Sequence, residues 1–249
     1  MKLRLLAPTA AALAALPAHA IAAPAEGAGA DDLLGRPIVL VVALALVSLL
    51  PIAFMSVTAF VKISTVLQIV RSAIGAQSVP SNTVIMALAA SLTLLAMAPV
   101  GEEIWTRASP LMLAEKTPTT QALVQGGIEA VREPMRAFLK KNASDKERAR
   151  FVAVAKGARE GAAKAAVTAD DLDVLIPSFV VTELTVAFAV GFLIYLPFLV
   201  IDLVIANVLL ALGMQSLSPT QISLPFKLLL FVGIDGWGLL AQALVTGYK

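Results

Sequence analysis

The chain of 249 residues is too apolar for an ordinary water-soluble domain, because 59% of its residues are hydrophobic and 14% are charged, against about 25% charged residues in a typical soluble domain. Its net charge of +2 is too small to favour nucleic acid as a partner, and the absence of cysteine excludes disulfides and thiolate metal sites. The one histidine, His19, falls in a segment that we expect to be removed. We therefore predict neither catalysis nor a cofactor or metal site.

Residues 1–23 have the pattern of a secretory signal peptide, which we predict to be cleaved. Two basic residues precede a short apolar core, residues 5–16, and residues 18–20 supply the small-x-small cleavage pattern. The core falls short of the about 20 residues that span a bilayer, which argues against an uncleaved membrane helix. Cleavage after Ala20 and after Ala23 both fit.

Four apolar segments surround a polar centre. Residues 102–173 hold 23 of the 36 charged residues, whereas residues 38–99 hold only Lys62 and Arg71. The apolar segments run over residues 37–61, 82–100, 176–212 and 222–245. Strand signals are absent, so we predict an all-α, multi-pass membrane protein with two hydrophobic helical hairpins flanking a soluble helical middle region. Its predicted regions are a signal peptide at 1–23, a flexible N-terminus at 24–36, a first hairpin at 37–101, the polar helical region at 102–175 and a second hairpin at 176–249.

The polar centre carries two helix signals. The spacing of its apolar residues predicts one face of an amphipathic helix, formed by Val124, Ile128, Val131, Met135 and Phe138. Residues 144–147, Ser-Asp-Lys-Glu, predict a capping box that opens the next helix.

The predicted topology follows from the signal peptide and from two basic residues. Cleavage places the mature N-terminus outside the cytoplasm, and Lys62 and Arg71 favour a cytoplasmic first hairpin turn. Two crossings then return the middle region to the periplasmic side.

The second hydrophobic pair carries Glu183, Asp202, Lys227 and Asp235. An ionised side chain at a bilayer centre costs about 2.5–3.5 kcal/mol, so these groups must face protein, water or each other. Pairs within one chain, such as Lys227 with Asp202, and pairs between neighbouring subunits both satisfy this requirement.

Proline and glycine interruptions predict broken helices that line a cavity or pore, at Pro197, Gly213, Pro219 and Pro225. Met214 follows one of them, either as packing filler or as the lining of a deformable constriction.

Several long motifs stand in order along residues 38–248: Met97 to Val100 (MAPV), Arg132 to Leu139 (REPMRAFL), Ile176 to Leu184 (IPSFVVTEL), Leu196 to Asp202 (LPFLVID), Ala211 to Met214 (ALGM), Ile222 to Leu228 (ISLPFKL) and Asp235 to Trp237 (DGW). In these motifs the chain resembles the FliP/SctR family. The resemblance implies the export gate of a type III secretion system. It also implies that five copies and two smaller membrane subunits form a ring that conducts unfolded secreted proteins across the bacterial inner membrane.

The resemblance further implies that the hydrophobic helices are buried between subunits, and that methionines after Gly213 ring the pore as a gasket. In this chain that gasket reduces to Met214, followed by Gln215 and Ser216. Residues 195–198 and 212–215 resemble injectisome members, whereas a cleavable signal is more typical of flagellar members. We favour the injectisome.

A different class of function stays open from the residues alone. A small-solute or ion transporter would use Glu183 and Asp202 as proton or cation sites. Four hydrophobic segments are few for such a protein, and the two pairs show no inverted repeat.

Overall fold

A computed structural model describes residues 37–75, 80–112 and 120–248 of the chain. The signal peptide predicted at 1–23 and the flexible N-terminus predicted at 24–36 lie outside the described residues. The chain divides into two units, Met1–Ala45 and Leu46–Lys249. Every contact below lies within the second unit.

The described secondary structure is entirely helical, which confirms the all-α prediction. The helices are α1 (Pro37–Val57), α2 (Phe60–Ile74), α3 (Asn82–Met112), α4 (Thr120–Asn142), α5 (Asp145–Gly157), α6 (Gly161–Ala165), α7 (Leu172–Ala211), α8 (Pro219–Gly233) and α9 (Gly236–Thr246). The boundaries predicted between residues 101 and 102 and between residues 175 and 176 fall inside α3 and α7. These boundaries therefore do not coincide with the ends of helices.

Two described helices are long and apolar enough to cross a membrane, over Asn82–Leu111 and Leu172–Ala211, and the number rises to four if each of two bent helix pairs counts as one span. The first bent pair joins Val47–Val57 to α2 at 69°, and the second joins α8 to α9 at 58°. With 40 residues, α7 is about 60 Å long. It therefore exceeds the about 30 Å of a bilayer's hydrocarbon core.

Of the four predicted interruptions, two lie at a break between helices and two do not. Pro197 and Pro225 stand inside the continuous helices α7 and α8, whereas Pro219 begins α8 and Gly213 follows the end of α7. The first bend, at Thr58, has no proline or glycine. A proline removes one backbone N–H donor. Long apolar helices tolerate this loss when neighbouring groups satisfy the carbonyl that is left without a partner.

Helix α2 supplies much of the core, although most of it lies between the two apolar segments of the predicted first hairpin. Nine of its fifteen residues are buried, and it packs against α3, α7 and α8. Gly191 of α7 allows the closest approach, because a Cβ there would lie 2.6 Å from the Ile69 side chain. The apolar cluster comprises Ala59, Phe60, Ile63, Val66, Leu67, Val70, Ala73, Ile74, Ile85, Ala89, Ala187, Phe198, Phe231 and Leu244.

A second, smaller cluster joins the middle region to α7 through Phe138, Leu139 and Phe179. The amphipathic face predicted on α4 is buried only at this end, since Val124, Ile128 and Val131 are exposed.

The predicted cap of α5 is present in part. The Ser144 hydroxyl accepts the Glu147 N–H at 3.3 Å. The Ser144 N–H donates to Thr182 of α7, at 3.0 Å, and the Glu147 carboxylate pairs with Arg150 instead. The N-terminus of α5 is thereby tied to α7 rather than closed on itself.

Candidate functional site

Lys227 and Asp202 pair within one chain, which is the first of the two alternatives open from the sequence. Lys227 Nζ lies 2.6 Å from Asp202 Oδ2 and also donates to the Ala73 carbonyl oxygen at 3.2 Å. The Ser223 hydroxyl donates to Asp202 Oδ1 at 2.5 Å. Lys227 is 3% exposed, whereas the Asp202 side chain is 29% exposed.

The helices explain how this first charge site forms. Ser223 and Lys227 are four residues apart on α8 and therefore share one face, which meets Asp202 near the end of α7. Ala73 lies in the last turn of α2, where the helix leaves its final carbonyl groups unpaired. The lysine therefore ties three helices together at one point.

Glu183 also finds its partners within the chain, in a second charge site. Its Oε2 lies 3.4 Å from Lys62 Nζ and accepts a hydrogen bond from the Tyr248 hydroxyl. Lys62 Nζ stands 3.7 Å from the centre of the Tyr248 ring, a cation–π contact. Glu183 is 2% exposed and Lys62 is 8% exposed.

Sequence reasoning missed two of these residues. The sequence singled out Lys62 only as one of two basic residues that favour a cytoplasmic turn. In the structure Lys62 is buried in α2. Of the two, only Arg71 therefore supports the predicted topology. The available signal was a single lysine within a long apolar stretch. Nothing in the sequence links Tyr248 to residues 65 and 186 positions earlier.

Asp235 stands apart from both charge sites. It is exposed and forms no ion pair with the described part of the chain. It occupies the bend before α9 with φ at +53°, a left-handed conformation that aspartate tolerates better than most residues. Its carboxylate lies over Gly238, where a Cβ would come within 2.4 Å of Oδ2.

Met214 lies at the tip of the turn between α7 and α8, with its side chain 46% exposed. Gly213 adopts φ +73°, its N–H bonds to the Leu210 carbonyl at 3.1 Å, and the Met214 N–H bonds to the Leu209 carbonyl at 2.9 Å. These two bonds form a Schellman motif. Leu212 and Leu217 of the same turn are also exposed, so the tip presents three large apolar side chains.

A broad apolar surface accompanies these sites. Many large hydrophobic residues of α7 are exposed, although a monomeric soluble protein rarely shows contiguous apolar patches of more than a few hundred Å². The most exposed are Phe188, Phe192, Leu193, Leu203 and Leu210. The described residues contain no group of three or more histidine, aspartate or glutamate side chains that would hold a metal ion.

Comparison with known proteins gives a consistent match. The model of the FliP family matches residues 43–244. The chain is 44% identical over 211 residues to "Hypersensitivity response secretion protein HrcR" of Ralstonia nicotianae, covering 84% of this chain and 96% of that protein. It is 43% identical over 209 residues to "Yop proteins translocation protein R" of Yersinia pestis, covering 84% and 95%. It is 37% identical over 206 residues to "Flagellar biosynthetic protein FliP" of Agrobacterium fabrum, covering 83% and 81%.

Proposed function

Because the chain belongs to the FliP family, whose members are components of the type III secretion export apparatus, we propose that it is a pore-forming structural subunit of the export gate. In this role it conducts unfolded protein substrates across the bacterial inner membrane and performs no catalysis. Its partners are other copies of itself, five in the assembled ring, and two smaller membrane subunits of the gate.

The observation that carries this proposal is the distribution of apolar and charged groups. Glu183, Asp202 and Lys227 are neutralised inside one chain, whereas large apolar side chains remain on the outside of α7. Because α7 is about twice as long as the hydrocarbon core is thick, lipid covers only part of that apolar length. Neighbouring subunits would cover the remainder.

The turn between α7 and α8 is the segment we assign to the pore. Its backbone hydrogen bonds fix the tip, and Met214, Leu212 and Leu217 are exposed on it. Met214 is the gasket residue of this proposal. A flexible thioether suits a constriction that must close around chains of varied shape.

The middle region, residues 102–175, is placed on the periplasmic side in this proposal. Its high charge content excludes it from the hydrocarbon layer, and a cleaved signal peptide would direct the mature N-terminus to the same side. The chain is then a multi-pass protein of the inner membrane.

Between the two kinds of secretion system we favour the injectisome. Identity is higher to the HrcR protein and to the Yop translocation protein R than to the flagellar relative. Deletion of the gene should abolish injectisome secretion and leave swimming intact. Loss of swimming with normal injectisome secretion would reverse this assignment.

The mass of the complex, extracted in detergent and weighed intact, tests the gate. We expect a discrete multi-chain ring that contains the smaller subunits. A monomer or dimer that transports a small solute would instead support the transporter, in which Glu183 and Asp202 bind the coupling ion. The two ion pairs argue against that alternative, because each carboxylate already has a lysine partner.

The gasket role of Met214 is tested by ion leakage. Met214→Ala should raise leakage through the closed gate without lowering the yield of the ring, because the constriction loses volume while the backbone hydrogen bonds remain. Gln215→Ala, in the same turn, is the matched control and should leave leakage unchanged. Equal leakage from the parental and Met214→Ala complexes would reduce Met214 to packing filler.

A further inference from the structure

Two hydroxyl groups make hydrogen bonds to the backbone at the bend between α1 and α2. The Thr58 hydroxyl donates to the Phe54 carbonyl at 2.6 Å and accepts the Phe60 N–H at 3.3 Å. On the other side, the Ala59 carbonyl accepts the Ile63 N–H at 3.2 Å and the Tyr248 hydroxyl at 3.2 Å. Ala59 is fully buried, so no water reaches this carbonyl.

Tyr248 comes to this bend from the far end of the second bent pair. It follows α9, which begins immediately after the second bend at Asp235. Its ring stacks on Phe138 of α4 with 5.9 Å between the ring centroids. The ring thus anchors the residue, while the hydroxyl reaches both Glu183 and the Ala59 carbonyl.

The phenol acts here as a hydrogen-bond donor. Burial, reinforced by the neighbouring Glu183 carboxylate, raises the pKa of Tyr248 above its usual range. The hydroxyl therefore keeps its proton, and this single O–H is shared between the Glu183 carboxylate and the Ala59 carbonyl. Lys62 offers Glu183 only a contact at 3.4 Å, which is long for a charge-assisted hydrogen bond.

We propose that Tyr248 is a positioning residue that couples the two bent helix pairs: its hydroxyl holds the first bend closed and orients Glu183 toward Lys62. Docking of α9 then sets the angle between Val47–Val57 and α2. This inference concerns the interior of one chain and does not rest on the proposed export function.

The absence of cysteine from the sequence makes the coupling measurable with a single introduced thiol. Ser64→Cys places a nearly isosteric reporter on α2, two residues from Lys62, at a position 6% exposed. Maleimide labelling of the full chain in isolated membranes then reports how often α2 separates from its neighbours. Ser72→Cys, exposed on the same helix, measures reagent access.

Tyr248→Phe removes the hydroxyl and keeps the ring on Phe138. We expect the labelling rate of the Ser64→Cys reporter to rise about ten-fold or more, as for the loss of a hydrogen bond to a charged group. Tyr195→Phe is the matched control, because the Tyr195 hydroxyl makes no hydrogen bond with the residues that the structure describes. It should change the rate less than two-fold.

A second reporter separates local opening from general unfolding. Ser178→Cys lies fully buried on α7 beside the smaller apolar cluster and should stay unreactive in the Tyr248→Phe chain. The coupling would be overturned if Tyr248→Phe left the labelling rate at Ser64→Cys unchanged, or if Tyr195→Phe raised that rate equally. It would also be overturned if Tyr248→Phe exposed Ser178→Cys to labelling as well as Ser64→Cys. None of these outcomes depends on whether a ring forms or proteins are exported.

Discussion

Lys62 and Lys227, the two buried lysines among the described residues, show that similar ion pairs can occupy different environments. Lys227 has close oxygen partners, and its carboxylate, Asp202, is partly open to solvent. Lys62 has one carboxylate at 3.4 Å and an aromatic face, and both Lys62 and Glu183 are almost fully buried. The first site is stabilised by direct hydrogen bonds, whereas the second depends on all of its members staying together. Loss of one partner should therefore be more damaging at the Lys62 site.

The largest effect is expected for Glu183→Leu. This change leaves Lys62 charged and buried, which should lower the free energy of unfolding by about 3–5 kcal/mol. The paired change Lys62→Met with Glu183→Leu removes both charges and should recover most of that loss. Chemical denaturation of the detergent-solubilised chain measures both. If the double variant were as unstable as Glu183→Leu alone, the loss would come from the missing ion pair and not from an unpaired, buried Lys62.

A smaller effect, of roughly 2 kcal/mol, is expected for Asp202→Leu. Lys227 keeps the Ala73 carbonyl, and the partly exposed position of Asp202 admits water, so the stranded charge is less costly. The same variant should also lower ring yield, because α8 loses its tie to α7. A loss as large as that of Glu183→Leu would remove the distinction between the sites.

Ser223→Ala should cost about 1 kcal/mol, the usual value of one hydrogen bond. The ion pair remains, so the change isolates the contribution of the hydroxyl to orienting Asp202. The same denaturation experiment detects it, with Thr220→Ala, exposed in the first turn of α8, as the control. If stability is unaffected, the short contact between Ser223 and Asp202 does not contribute to holding the site.

The smallest effect on the chain is expected for Asp235→Asn, below about 0.5 kcal/mol, because the side chain is exposed and asparagine also tolerates a left-handed conformation. Its effect on ring yield is the informative measurement. Reduced yield with unchanged chain stability would assign Asp235 to contacts between subunits. A large loss of chain stability would show that its carboxylate fixes the second bend.

The sequence predicted what depends on local pattern. The all-α class follows from apolar length and periodicity, and the long segments correspond to α3, α7 and the bent pair α8–α9. Ser144 caps α5 as its spacing predicts. The bend at Thr58 was not predictable, because its hydrogen bonds come partly from Tyr248, far away in the chain. Likewise, Lys227 with Asp202 could be named only as one alternative, since pairing depends on how α7 and α8 pack.

The turn at Gly213 has a consequence for which substitutions this chain can accept there. Backbone hydrogen bonds hold the tip, and the residue after the glycine is exposed, so folding places little demand on its side chain. Side chains of different size and chemistry can then replace Met214 at little thermodynamic penalty to α7. The left-handed glycine, by contrast, is constrained, because residues with a β-carbon rarely adopt its φ of +73°.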